Sequence, residues 1–300
     1  MIDLHVHTIA SDGLFSVPQL VEKAKNIRLK AMAITDHDTI KGIIENIKLF
    51  ENPDEILLIP GIELSVDYKD IKEGIHILGY FVPYEDEKFN FFLEEMESSR
   101  QERNVKIINK LNEVGIKISL EEVQEVAQKE IVGRPHIAQC LINKKYVSTF
   151  DEAFDKYLGK NGIAFLPRRR ISAKKGIELL RKFNCIVVLA HPYYIFESEN
   201  VSKIEPIIRE FLDYGLQGIE VFYPMMSKEF MENLLNLAQK YKLLYTGGSD
   251  YHGYKDLNIE LGYGDGNLNV PDEILDNLIN HAPSWWLEKL KNSYKMNVPK

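Results

Sequence analysis

Cysteine is scarce in this chain, and that scarcity excludes several chemistries at once. Only Cys140 and Cys185 occur among 300 residues. They form no CxxC pair, so no thiolate zinc site is expected, and two cysteines in apolar surroundings give no disulfide framework. They read as buried, reduced thiols, which suits a cytoplasmic protein. Positive charge is not in excess either. A net charge of −8 argues against broad nucleic-acid binding and against duplex DNA as a partner. It leaves a phosphate substrate open, because bound divalent cations would reverse the local field. Long apolar runs are missing too. The longest, such as 185–190, are far too short for a bilayer, and no basic leader precedes the first strand-like segment, so neither a membrane span nor a signal peptide is expected. No repeat, low-complexity tract or heptad pattern points to an obligatory protein partner.

What is present is ample apolar material, 45% of the residues, enough for one large domain or one domain carrying an insertion. Residues 2–7 read as a strand. Leu20, Val21, Ala24 and Ile27 then recur at helical spacing, with Pro18 suited to the first turn and Ser16 to the cap. Further strands are expected at 31–35, 57–66 and 75–82, with a helix over 39–50. Residues 85–160 contain no convincing strand. A long helix over 89–114, ended by Gly115, and shorter ones at 120–129, 135–143 and 149–158 read as a helical insertion. Alternation resumes with strands at 185–190, 217–222 and 244–248 and helices at 173–183, 204–214 and 228–241. Repeated strand–helix units imply a parallel sheet, a barrel or a doubly wound one. The expected organisation is therefore an α/β domain from 1–85 and 166–300, with an insertion at 86–165. The Trp285-Trp286 pair reads as packing beneath that domain.

Ligand-type residues recur where these strands end. His5 and His7 are two apart on a strand, hence on one side. Asp12 follows in Ser11-Asp12-Gly13, and Asp36-His37-Asp38 follows the second strand. Glu63 lies in Pro60-Gly61-Ile62-Glu63, His76 on the next strand, His191 just after 185–190, and Asp250 and His252 just after 244–248. Each alone has a bland alternative: Asp38 a helix cap, Asp12 turn chemistry, His191 a loop residue. Together they are informative, because six of the eight histidines sit at strand ends. In a parallel barrel those ends meet at one face. Imidazole and carboxylate without thiolate suit Mn, Zn or Fe, and with so many ligands two or three ions are expected, a device for phosphoryl displacement. His281 reads as a tail residue. His136 stands in Gly133-Arg134-Pro135-His136 at a helix start, where an anion site and a simple capping turn are both open. The Arg168-Arg169-Arg170 run is either a solvated face or a source of one phosphate-gripping guanidinium.

His5-x-His7 with Ser11-Asp12-Gly13, Thr35-Asp36-His37-Asp38, Pro60-Gly61-Ile62-Glu63, Ala190-His191-Pro192 and Gly248-Ser249-Asp250-Tyr251-His252 resemble, in order and through nearly the whole chain, the PHP (polymerase and histidinol phosphatase) domain family. The helical insertion is similar to that of its stand-alone phosphoesterases, which act on 3′,5′-bisphosphonucleotides and short 5′-phosphorylated RNA. The resemblance implies a distorted (β/α)7, TIM-like barrel and three divalent ions. His5, His7, Glu63 and Asp250 would hold the first. Glu63 would bridge to a second with His76 and His191, and Asp12, His37 and His252 would hold the third. It implies a phosphoric ester hydrolase in which a metal-bridging hydroxide attacks phosphorus, with Glu63, His191 and His252 at the reacting centre. Arg134 and Arg168 would touch substrate phosphate, with His136 and Arg169 as competitors, and the insertion would roof the site. Histidinol phosphate as substrate, a non-catalytic metal-binding module and an amidohydrolase are the alternatives; no lysine at a matching strand end supports the last.

Overall fold

The computed structural model describes residues 1–293 apart from 52–55, 70, 72–73, 128–131, 167–169, 197 and 255–257. The chain divides into two compact units, Met1–Phe89 with Arg170–Lys300, and Asn90–Arg169. No helix among the described residues is long and apolar enough to cross a membrane.

The first unit is built on one curled, mixed sheet flanked by helices. Its strands are β1 (Ile2–Val6), β2 (Ala31–Ile34), β3 (Leu57–Asp67), β4 (Ile75–Tyr80), β5 (Ile171–Ser172), β6 (Ile186–Leu189), β7 (Gly218–Phe222) and β8 (Leu244–Gly247). The hydrogen-bonded order is β1-β2-β3-β4-β6-β7-β8, with the two-residue β5 pairing β3 to one side. A parallel bridge between Val6 and Tyr251 brings the segment after β8 against the end of β1. Gly248 permits that approach: a Cβ there would lie 2.4 Å from the His5 nitrogen.

The α/β class is as the sequence implies, but the sheet is not parallel throughout. β4 runs antiparallel to both β3 and β6. Only a short connection separates β3 from β4, and a parallel pairing needs a crossover of a dozen residues or more. The reversal carries His76, at the start of β4, to the same end of the sheet as the C-terminal ends of β3 and β6. A second departure is the helix expected over 39–50. It is two short helices, Lys41–Ile44 and Ile47–Glu51. Asn46 stands between them, its side-chain amide reaching back to the Gly42 carbonyl at 2.9 Å, a local bond that competes with the helix ladder.

β1 also contains an irregularity that positions the site. Asp3 pairs Met32, but Val6 pairs Ile34, so β1 takes three steps where β2 takes two. Such a bulge reverses which face the later residues occupy. Upstream, Ile2 and Leu4 join a buried apolar cluster with Ala31, Ala33, Ile59, Leu78, Tyr80, Ile186 and Val188. Downstream, His5 and His7 turn to the side of the sheet where Glu63 lies, pairing Leu78 across β3 and β4. The cluster is completed by Leu268, Val270, Ile274, Leu278 and Trp286, which packs 4.5 Å from the Phe81 ring. Ile2, Ala31 and Ile186 begin their strands, so these tail residues pack against the N-terminal ends of the parallel strands.

The described part of the second unit contains helices and no strand: the continuation of Glu87–Glu113, then Leu120–Ala127, Arg134–Asn143, Phe150–Ala153 and a π turn, Phe154–Leu158. Its core gathers Ile107, Leu111, Val123, Ile137, Leu141 and Leu158, all buried.

Candidate metal centre

The structure brings nine ligand-type side chains together at the C-terminal ends of the parallel strands. Glu63, fully buried, stands at their middle. Its Oε1 lies 2.9 Å from His76 Nδ1 and 2.8 Å from His191 Nε2. Its Oε2 lies 3.3 Å from His5 Nε2, 3.2 Å from His7 Nε2 and 2.9 Å from His37 Nδ1. Asp250 Oδ1 is 3.3 Å from His5 Nε2 and 2.9 Å from His7 Nε2. Asp12 Oδ1 is 3.3 Å from His252 Nε2 and 3.6 Å from His7 Nδ1, and its Oδ2 is 3.7 Å from His37 Nε2. Three groups able to hold an ion emerge: His5, His7, Glu63 and Asp250; His37, Glu63 and His76; and His7, Asp12, His37 and His252. His7 and His37 each present nitrogens to two groups, a sharing that sequence order does not show.

These donors fit divalent cations. Bonds of about 2.0–2.2 Å to one ion place neighbouring ligand atoms roughly 3–3.5 Å apart, which is the spacing found. Buried side-chain atoms without a hydrogen-bond partner include His5 Nε2, both His7 nitrogens, Asp12 Oδ1, His37 Nδ1, Glu63 Oε2, His76 Nδ1 and Asp250 Oδ1. Buried polar groups are costly unless paired. Eight such atoms converging on one another mark a place shaped for cations.

Charge tells the same story. Burial penalises the imidazolium of His5, yet Glu220, Asp250 and Glu63 hold it well above its ordinary range. Burial likewise opposes ionisation of Glu63, but His37, His76 and His5 hold its carboxyl well below the usual range. Asp250 behaves the same way beside His5, His7 and His252. His252, against burial, is pushed up to about 9 by Asp12 and Asp250. His76 is the exception: burial outweighs Glu63 and lowers it.

The loops that carry these groups are held by their own polar network. Asp36, which stands among the ligand-type residues of the sequence, joins none of these groups. Its Oδ1 accepts from the Thr8 nitrogen (2.7 Å) and Ser11 hydroxyl (2.6 Å), and its Oδ2 from the Thr8 hydroxyl (2.7 Å). It fixes the loop leading to Asp12. Asp38 Oδ1 accepts from the Ser65 nitrogen at 2.7 Å, tying the loop after β2 to β3. His191 (φ 23°) and Asp250 (φ 54°) adopt left-handed backbone conformations, a strain found where surroundings over-determine a functional conformation.

Two contributors escaped the sequence reading. Glu220, in the middle of β7 and fully buried, touches His5 and the His191 backbone. Its signal was a single acid inside an otherwise apolar strand, Gly218–Phe222. Tyr223 donates to Asp250 Oδ2 at 2.8 Å; a tyrosine after a strand carries no distinguishing pattern. Two of the expected phosphate contacts fall among the described residues. Arg134 and His136 belong to the second unit. Arg134 Nη1 donates to the Leu158 carbonyl (3.1 Å), with its guanidinium 5.6 Å from the Phe154 ring. His136 Nδ1 accepts from the Gly133 nitrogen (3.1 Å), capping Arg134–Asn143. Arg168 and Arg169 fall outside the described residues.

Residues 3–221 match the PHP domain family. A 5′-3′ exoribonuclease of Haemophilus influenzae is 31% identical over 277 residues, covering 91% of this chain and 96% of the relative. A 3′,5′-nucleoside bisphosphate phosphatase of Chromobacterium violaceum is 25% identical, covering 87% and 90%. Among solved structures, a putative metal-dependent phosphoesterase from Bifidobacterium adolescentis superposes with a TM-score of 0.75 at 26% identity, covering 94% of this chain and 96% of that one.

Proposed function

The chain belongs to the PHP domain family and is a hydrolytic phosphoesterase, and on that premise we propose that it acts on nucleotides, removing phosphate from 3′,5′-bisphosphonucleotides and trimming short 5′-phosphorylated RNA. The exoribonuclease and bisphosphate phosphatase relatives support the nucleotide class. The observation that carries the chemistry is Glu63, whose two carboxylate oxygens each face a different set of imidazoles.

We assign His5, His7, Glu63 and Asp250 to one divalent ion, Glu63, His76 and His191 to a second, and Asp12, His37 and His252 to a third. Mn, Zn and Fe are the candidates for an all-nitrogen-and-oxygen donor set. When bound, such ions supply Lewis acidity toward phosphoryl oxygens and a nucleophile available near neutral pH. The protein's own part is orientation. His252 Nδ1 donates to the Asp250 carbonyl at 2.8 Å, which leaves Nε2, turned toward Asp12, as the nitrogen that would coordinate an ion. Tyr223 occupies Asp250 Oδ2 and leaves Oδ1 facing His5 and His7. Glu63, His191 and His252 are the groups we place nearest the reacting phosphate. Arg134, His136, Arg168 and Arg169 are our proposed contacts to substrate phosphate. The free, buried thiols of Cys140 and Cys185 fit a reducing cytoplasm.

The test is a substrate comparison with metal-loaded enzyme. Phosphate release from a 3′,5′-bisphosphonucleotide should exceed that from the plain 5′-monophosphate, and a short RNA with a 5′-phosphate should be degraded in preference to its 5′-hydroxyl counterpart. Equal turnover across both pairs, or a preference for histidinol phosphate, would sink the nucleotide assignment while leaving the phosphoesterase intact.

A further inference from the structure

Glu220 is a buried acid that no ligand group contains. One of its oxygens lies 2.9 Å from His5 Nδ1, and the other accepts the His191 backbone N–H at 2.7 Å. Its side chain and that of His5 are both fully buried. An ionised carboxylate only accepts, so the His5 contact requires the proton on Nδ1. That leaves Nε2, turned toward Glu63 and Asp250 at 3.3 Å from each, as the nitrogen that would give up its proton to an ion. The second contact falls on the residue whose backbone is strained at φ 23° and whose ring reaches the opposite oxygen of Glu63. One carboxylate thus grips a donor from each of two groups, one through a ring and one through the main chain.

We infer that Glu220 is the positioning residue that sets the His5 tautomer and the His191 backbone together, so that the two groups sharing Glu63 are presented to their ions in register. The inference rests on the metal-binding reading above. It requires Glu220 to touch neither ion nor substrate. Its position in β7 suits that role. A strand residue is held more rigidly than a loop residue, and β7 pairs β6, which leads directly into His191.

The experiment uses the full chain, stripped with chelator and titrated with Zn²⁺ alone. Glu220→Gln keeps the size but not the double acceptor: its amide oxygen serves one N–H and its NH₂ confronts the other. The variant should bind Zn²⁺ about 10- to 100-fold more weakly, while its unfolding midpoint in excess chelator moves little. Wild-type Zn²⁺ affinity in a folded Glu220→Gln chain overturns the inference and leaves the metal reading standing. A wild-type chain that takes up no Zn²⁺, Mn²⁺ or Fe²⁺ overturns both. Should Glu220→Gln fail to fold, the wild type decides alone. Histidine side-chain ¹H–¹⁵N spectra of the Zn²⁺-loaded protein should show His5 protonated at Nδ1, and a proton at Nε2 refutes the assignment.

Discussion

The two ends of the sheet both hold fully buried side chains and are filled on opposite principles. At the N-terminal ends of the parallel strands, Leu278, Ile274, Val270 and Trp286 pack among Ile2, Ala31 and Ile186, apolar against apolar. At the other end His5, His7, Glu63 and Asp250 crowd one another with lone pairs that no hydrogen bond uses. Burial by itself therefore says nothing about purpose. A buried apolar side chain is stabilised by leaving water. A buried carboxylate among imidazoles is costly unless a cation, whether proton or metal, compensates it. One end holds the fold and the other spends stability on chemistry.

That contrast can be broken or sharpened by substitution. The largest effect is expected from Glu63→Gln, which removes the charge shared by two ligand groups. Turnover on phosphoesters should fall by on the order of a thousandfold or more, with metal content by elemental analysis falling alongside. Retained metal and near-normal rates would show that Glu63 is not the bridge. Next is Leu278→Ala at the apolar end, which should cost about 2–5 kcal/mol in urea unfolding while kcat per folded molecule stays unchanged. A change in kcat would mean that the two ends are not independent. Asp12→Ala follows. Rates should fall on the order of a hundredfold, with loss of the ion held by Asp12, His37 and His252 and retention of the ion at His5 and His7. Unchanged metal content with full turnover would refute a third ion.

The smallest effect is expected on the helix Val201–Tyr214. Glu210 accepts from Tyr68, Lys69 and Tyr214 at 2.6–2.7 Å, and these bonds hold its carboxyl down at about 2. A depressed carboxyl stabilises the fold above its unfolded value, about 4.3, and that stabilisation is lost as pH falls through the folded value near 2. Glu210→Gln should flatten the unfolding midpoint's fall over that window, by less than about 1 kcal/mol because the group is partly exposed. An unaltered acid limb would show that these bonds contribute nothing.

Much of this was legible in the sequence, for reasons that also explain what was not. The nine ligand-type residues stood out because each lies within or close to an apolar run, where a titratable side chain is conspicuous. Glu220 was equally telling in principle, one acid within β7, but its partners lie 215 and 29 residues away, and only folding supplies them. The direction of β4 depends on the length of its connection to β3, not on the residues of the strand. The bulge in β1 left no mark at all, since alternation reads the same whether or not a residue is later squeezed out of register.

That bulge has a consequence for how the chain tolerates change. β1 keeps two rhythms in a handful of residues, and the extra step between Asp3 and Val6 resets the phase from one to the other. Substitution can alter either half without disturbing the beat. Deleting a single residue there would conserve nearly all of the composition and still rotate both imidazoles out of the mouth. In this short segment the count of residues matters as well as their identity, and a scan that only swaps side chains leaves that count untested.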